Sequence, residues 1–469
     1  MTRKMLKLCT LSILLCLLAP SQGTTRGTVV RVNQEALEYV CQEGRPFLLK
    51  GLLVIKVPNL VGQGGLVGSL LNVVGIKILK AELPHLSVKL IPKTGIQLSL
   101  GAELRVRANL LVAPLELKVG SSILLDVRVL RSPHGFPILS ITACKSLLGD
   151  VDIILGGSNV LGFLKPIQNH LRAVLVDKMC LSISSTILGL NAKLSTLVGL
   201  NSINPMSHLQ YSMMESPEIT SNYMDLDLNA VFALMGKPIN VEPASPVPAI
   251  YLPPLETVSS GSMVNMGLSQ HLFANLFSTL EQSGAFNLNI GSHSSSGDYH
   301  LTTSMLESAI PSISQRFPED VALGLNVVLS KAPIISFHKG GAVVCLSPTI
   351  QIVVAVSGSS YKSQTLCSLG VDVSLGLKLA VTATSLQVSV ALHGDVGLEV
   401  VSSSLKITEV SQLRRVVLSI FEDAFLAHLN AVLSVGISLP KLSNVNYVDP
   451  QIEIHEGYAQ VNCDLDYEP

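Results

Sequence analysis

Six prolines fall within seventeen residues near the middle of this 469-residue chain: Pro238, Pro243, Pro246, Pro248, Pro253 and Pro254. Each fixes φ and removes a backbone donor, so so dense a run is neither a helix interior nor a central strand. An extended, semi-rigid connector is expected, close to polyproline II where the prolines are densest. The run divides the chain into halves of similar length. Each half then repeats one order of elements: helix, alternating strands, long helix.

In the first half, residues 29–44 are expected to hold a helix that Asn33 can cap, with Ala36, Leu37 and Val40 on one face and Gly44 at its end. Gly62, Gly64, Gly65 and Gly68 mark a flexible tip or hairpin loop and do not fit a nucleotide-binding glycine pattern. Residues 76–143 alternate apolar and polar in runs longer than a usual strand. Period-two alternation implies a long, strongly twisted antiparallel meander. From 159 to 196 the period becomes helical through Leu164, Ile167, Leu171, Val174 and Leu175, with Pro166 expected to start or kink the helix.

The second half repeats this. Residues 267–284 read as a helix with Leu268, Leu272, Leu276 and Leu280 four apart, closed by Gly284. A Ser-rich surface loop spans 292–298, alternating strands follow, and 411–433 reads as a long helix. Its apolar face is expected to be Leu413, Val416, Val417, Ile420, Ala424 and Ala427. A short strand at 450–463 ends the chain. A sheet around one long helix must bury both the helix stripe and one strand face. If the helix does not fill the sheet, a tubular apolar cavity remains.

Arg3, Lys4 and Lys7 precede a short apolar run, Leu8–Leu18, and small residues Ser21 and Gly23. Residues 1–23 are therefore expected to be a secretory signal peptide, making the mature chain secreted and extracellular, with no transmembrane anchor. Apolar residues make up 48 % of the chain but aromatics only 4 %, with no Trp. Mean hydropathy is +0.49. Leu and Val therefore fill the interior, as an aliphatic core or as aliphatic-lined grooves for acyl chains. Residues 24–230 carry 19 Lys and Arg against 14 Asp and Glu, whereas 231–469 carry 10 against 19. No tight basic run occurs, so no nucleic-acid partner is expected.

Nucleophile-elbow and zinc-protease motifs are absent; GGSNV at 156–160 lacks the final glycine, and the eleven histidines are scattered. No enzyme, metal site or cofactor is expected. Cys41, Cys144, Cys180, Cys345, Cys367 and Cys463 remain after the signal, permitting disulfides whose pairing spacing alone leaves open. Cys345 with Cys367 is one candidate pair across neighbouring strands.

GTVVRVNQEAL (27–37), CLSISSTILGLNAKLSTLVGLN (180–201), YSMMESPEITSNYMDLDLNAVFALMGKPI (211–239), GSMVNMGLSQHLF (261–273), QRFPE (315–319) and LPKLSNVNYVDPQIEIHEGY (439–458) carry a resemblance over the whole mature chain. They resemble the bactericidal/permeability-increasing-type superfamily, which includes lipopolysaccharide-binding protein and plasma lipid transfer proteins, and more narrowly the long PLUNC proteins. The resemblance implies an α+β boomerang of two lobes, each a twisted antiparallel sheet around a long helix, with a shared central sheet. It places an N-terminal lobe at 24–215, central-sheet strands and the proline-rich linker at 216–260, and a C-terminal lobe at 261–469. It further implies a Cys144–Cys180 disulfide and an apolar lipid groove under the helices of each lobe. Candidate lining residues are Ala36, Leu37, Val40, Leu171, Val174, Leu175, Leu272, Leu276, Val417 and Ile420. The implied partners are phospholipid or another acyl lipid, with bacterial lipopolysaccharide as a second candidate; Gly62–Gly68 lacks the basic tip of the bactericidal members. A secreted scaffold with closed grooves is the alternative.

Overall fold

In the computed structural model the alternating runs become three antiparallel sheets, packed on two long helices. The structure describes residues 27–60, 73–109, 114–155, 164–239, 241, 250, 252, 261–290, 301–317, 319–329, 331–355, 363–441 and 443–468. The signal segment, the Gly62–Gly68 and 292–298 loops, GGSNV and most of the proline run lie outside the described residues.

Four strands form the N-terminal sheet as a meander: Val74–Ile91, Gly95–Asn109, Pro114–Arg131 and Pro137–Leu155. Alternation decides which face is inside. In the third strand Leu115, Leu117, Val119, Ser121, Ile123, Leu125, Val127 and Val129 are buried, every second residue. Ser121 is tolerated in that row because its hydroxyl donates to the Ala102 carbonyl at 3.3 Å. Register shifts interrupt the first and third strand pairings. Such bulges bend and twist long strands, which lets the sheet curl. Helix Leu164–Gly189 lies against the curled face and buries Ile167, Leu171, Leu175, Met179, Ile183 and Ile187. Pro166 sits in its first turn, where the missing donor costs nothing. The Cys144–Cys180 disulfide ties the fourth strand to this helix, with Cα atoms 5.9 Å apart.

In the C-terminal sheet one 19-residue strand, Ser363–Val381, organises the rest. Its first part pairs with Pro348–Ala355 and Gly397–Ser403, its second with Gly341–Leu346 and Ser385–Leu392. The helix Val410–Leu433 packs nearby and carries a π-helical turn at Phe421–Leu426. That turn corrects the expected apolar face. Leu413, Val417 and Ile420 are buried as expected, but the wider turn advances the phase by one residue. Phe421, Phe425, Leu429 and Leu433 are therefore buried, while Ala424 and Val416 are half-buried and Ala427 faces solvent.

Strands from both ends and the middle of the chain build the central sheet, in the order Val445–His455, Tyr458–Tyr467, Val264–Ser269, Thr28–Asn33, Tyr223–Leu234, Ser207–Met213, Leu200–Asn204. Residues 29–33 are thus a strand between two partners, correcting the helix expected from residue 29; the helix is Gln34–Glu43. The backbone needs of both neighbouring strands outweigh local helix preference. Asn33 does not cap its helix; its amide donates to the Ser262 carbonyl at 2.6 Å and Asn265 Oδ1 at 2.9 Å. Residues 267–269 are likewise strand, so Leu268 is outside the helix Gln270–Gln282, which Ser269 caps by accepting from the Leu272 amide. The single strand expected at 450–463 is instead the turn and inner parts of a hairpin, Val445–His455 with Tyr458–Tyr467.

A buried polar row crosses this sheet. Arg31 donates to both oxygens of Asp225 at 2.8 Å and to the Leu252 carbonyl at 3.2 Å, and its guanidinium lies 3.7 Å from the Tyr223 ring centroid. Asn265 pairs with Arg31 in register and its amide donates to Asn462 Oδ1 at 2.8 Å. The described parts of the proline run pack here. Lys237–Ile239 is a short edge strand, after a turn with positive φ at Met235 and Gly236; an edge is where Pro238 fits a sheet. Gly267 lets the strap approach, since an added Cβ would lie 2.3 Å from Ile250 Cγ2.

Two apolar cores result. One fills the N-terminal sheet; the other runs continuously through the central sheet and C-terminal lobe. Two helices, Lys165–Leu197 and Val410–Leu433, reach membrane-span length and hydropathy. Each buries a stripe against protein in the manner of a core helix. Cys345 and Cys367 are unpaired, because they face Ser374 and Ile352 in register rather than each other.

Replacing Cys144 and Cys180 by Ala should lower unfolding free energy by about 3–4 kcal/mol for this 36-residue separation, read from urea denaturation. Arg31→Met strands a carboxylate beside the central sheet and should cost about 3 kcal/mol in the same measurement; a loss under 1 kcal/mol would show that the pair does not hold the sheet.

Candidate functional site

Seven of the ten candidate lining residues, Ala36, Leu171, Leu175, Leu272, Leu276, Val417 and Ile420, sit in the packed cores at 3 % exposure or less. The structure does not gather them at one place. Leu171 and Leu175 belong to the N-terminal core with Val174 packed against it. Leu272, Leu276, Val417 and Ile420 belong to the joined core, and so does Ala36, although it lies on the first helix. Leu37 touches both cores. Val40 points outward, one helical turn beyond the buried Ala36.

The helices over the N-terminal core meet at a seam. Helix Arg45–Leu53, started by Pro46, runs antiparallel to Leu164–Gly189. The antiparallel sense follows from three contacts. Lys193 Nζ lies 5.2 Å from the Phe47 ring centroid, Ser182 Oγ donates to the Gly51 carbonyl at 2.6 Å, and Val54 meets Lys178 and Leu181. Gly51 permits the close approach, since a Cβ there would lie 2.7 Å from Thr186 Oγ1. Beyond this contact the helices part around a shallow depression of about 250 Å³ lined by Val54, Ile55, Lys178, Leu181 and Ser182. Beneath it Leu48, Leu52, Met179 and Ile183 continue into the aliphatic core.

The seam is apolar outside as well as inside. Val54 is 66 % and Leu181 63 % exposed, and Phe47 and Leu53 on the shorter helix are exposed as well. The long helix has mean hydropathy 1.5 in its most apolar stretch, yet only 22 % of that stretch is buried. Sequence reading missed the helix Arg45–Leu53 and these outward residues. The signal was available in RPFLLKGLL, whose apolar residues surround the helix instead of forming one stripe.

Polar chemistry at the seam is sparse. Burial pushes the Cys41 thiol up to about 11, with Arg45 partly opposing, so this free cysteine stays protonated at neutral pH. Among the described residues no group of three or more His, Cys, Asp or Glu could hold a metal ion. The seam can bury hydrocarbon and place Lys178 beside a polar head at its mouth.

Comparison with known proteins agrees with this architecture. The model of the LBP / BPI / CETP family, N-terminal domain, matches residues 36–197, and that of the C-terminal domain matches 201–467. The chain belongs to the LBP / BPI / CETP family. Human BPI fold-containing family B member 2 is 37 % identical over 98 % of both chains, and the mouse protein of that name 33 % over 94 % of both. A bactericidal permeability-increasing protein from Sebastes schlegelii is 26 % identical over 98 % of this chain and 99 % of its own. The crystal structure of lipopolysaccharide binding protein superposes with TM-score 0.60 at 20 % identity, covering 94 % of this chain and 99 % of that one. Family membership and that superposition establish the two-lobed α+β fold.

Gly51→Cys with Thr186→Cys brings two Cβ atoms within disulfide reach. The oxidised variant should lose uptake of a fluorescent acyl probe relative to wild type under the same conditions; unchanged uptake would show that the seam is not the route to the core.

Proposed function

We propose that this chain is a secreted, non-enzymatic lipid-binding protein that holds phospholipid-like or glycolipid acyl chains in apolar space beneath its helices, and that it serves mucosal innate defence. The two lobes, 24–215 and 261–469 joined through 216–260, each contribute one such space. The observation that carries this reading is the N-terminal long helix, apolar by composition yet mostly unburied, over an interior lined by aliphatic side chains. Such a lining has no hydrogen-bonding demand and accepts a methylene chain of any register.

Magnitudes favour opening the seam for a lipid. Burying about fifteen methylenes gains about 12 kcal/mol at 0.8 kcal/mol each. Breaking the Ser182–Gly51 and His170–Pro58 hydrogen bonds costs about 2 kcal/mol. Loosened packing between the helices costs a few more, on the scale of core substitutions. The candidate ligands follow the proteins it resembles, one of which is a lipopolysaccharide binding protein. A second reading, a scaffold with closed grooves acting through protein contacts, is favoured by the close packing of Leu171, Leu175, Val417 and Ile420.

Native mass spectrometry of the secreted protein should find co-purifying acyl lipid, and organic extraction should release it. No bound lipid together with no uptake of fluorescent phospholipid would leave the scaffold reading. Lipopolysaccharide binding, if it uses the positive N-terminal half, should saturate and weaken with added salt; salt-independent binding would assign it to acyl burial alone.

A further inference from the structure

The outward face of the seam differs from every other long-helix surface in the fold. On Arg45–Leu53 and the residue after it, Phe47, Lys50, Leu53 and Val54 face solvent together. The antiparallel partner adds Leu181, with Lys178 at the depression between the two helices. Charge on these segments is predominantly positive. Residues 45–56 carry Arg45, Lys50 and Lys56 and no carboxylate, and Leu164–Gly189 carries Lys165, Arg172 and Lys178 against Asp177 alone. The second long helix is equally apolar overall, with mean hydropathy 1.6. Its outward face instead shows Arg414, Arg415, Glu422 and Asp423, and its exposed large apolar residue is Val410 at the first turn.

We infer that this helix pair is a docking surface for an anionic lipid bilayer, lying in the interfacial plane with its apolar residues inserted and its lysines at the headgroup phosphates. Paired amphipathic helices with basic flanks bind such interfaces through apolar area plus attraction to anionic lipid. Charge complementarity names the occupant: six cations against one carboxylate disfavour an acid-free neutral surface less than they favour a negative one. Docking here sets the seam mouth against the bilayer, so an acyl chain can pass without crossing water. The inference rests on the lipid-binding reading and adds where and to what surface the protein attaches.

The test is vesicle flotation of the full-length secreted protein. Wild type should float with phosphatidylcholine vesicles containing phosphatidylglycerol, less with phosphatidylcholine alone, and less at high salt. Phe47→Asp/Leu53→Asp/Leu181→Asp should weaken binding at least about tenfold, and Lys50→Glu should flatten the salt dependence. Ile334→Asp, at a comparably exposed apolar position in the C-terminal lobe, should leave it unchanged. Circular dichroism and thermal melting confirm that each variant is folded. Native mass spectrometry on the same samples separates the two readings: bound lipid without vesicle binding overturns docking alone, whereas absence of bound lipid overturns the carrier. Equal flotation with neutral vesicles, wild-type flotation by the triple variant, or concentration-dependent self-association lost in that variant without vesicle binding would each overturn the inference.

Discussion

The pairing of strand Thr28–Asn33 with Tyr223–Leu234 on one side and Val264–Ser269 on the other holds this protein together. It joins the first described residues to the middle of the chain, and Tyr458–Tyr467 then adds its end. Loop-closure entropy makes such contacts expensive to form. The sheet offsets that expense with apolar side chains on one face and the Asp225–Arg31–Asn265–Asn462 row on the other. That row is directional: a one-residue slip of the strand would turn Arg31 into the apolar face and leave the half-buried Asp225 without its partner. The polar row therefore sets register, while the apolar face supplies most of the stabilisation.

From this joint the two lobes acquire different characters. The C-terminal core is continuous with the central sheet, and its long helix is keyed inward by Phe421 and Phe425, whose rings lie 5.4 Å apart. Buried Tyr211 and Tyr447 further fasten the segment after that helix through the Ser438 and Pro440 carbonyls. The N-terminal core is separate, and its long helix is held by close approach at Gly51, by the Ser182–Gly51, His170–Pro58 and Gln168–Val151 hydrogen bonds and by a disulfide to the sheet. The lobe whose core stands apart from the central sheet is also the one whose paired helices carry Phe47, Leu53, Val54 and Leu181 on their outer surface.

Much of this was legible in the residues. Period-two alternation located the long strands, and the helical spacing of Ile167, Leu171 and Leu175 located the first long helix and its buried face. The resemblance supplied the Cys144–Cys180 bond, which spacing left open. The failures share a cause. Val29–Asn33 and Gly267–Ser269 fit a helical pattern locally, but their strand partners are about two hundred residues away and local preference carries no record of them. Ala424 and Ala427 were placed inward because a regular helix was assumed; one wider turn moved the face. The ten candidate residues were chosen as apolar and helical, a pattern shared by packed core and groove lining alike.

Residue types and their spacing along the chain carry the duplicated α+β architecture, the aliphatic interior and the lack of a local catalytic motif, because each is a property of neighbouring residues. Tertiary structure decided the rest. Only the fold brings Arg31 to Asp225, turns the helix at Phe421, and lays Arg45–Leu53 beside Leu164–Gly189 so that Val54, Leu181 and Lys178 meet. Those contacts depend on which surfaces compete for the interior, and that competition is settled by packing among segments distant in sequence.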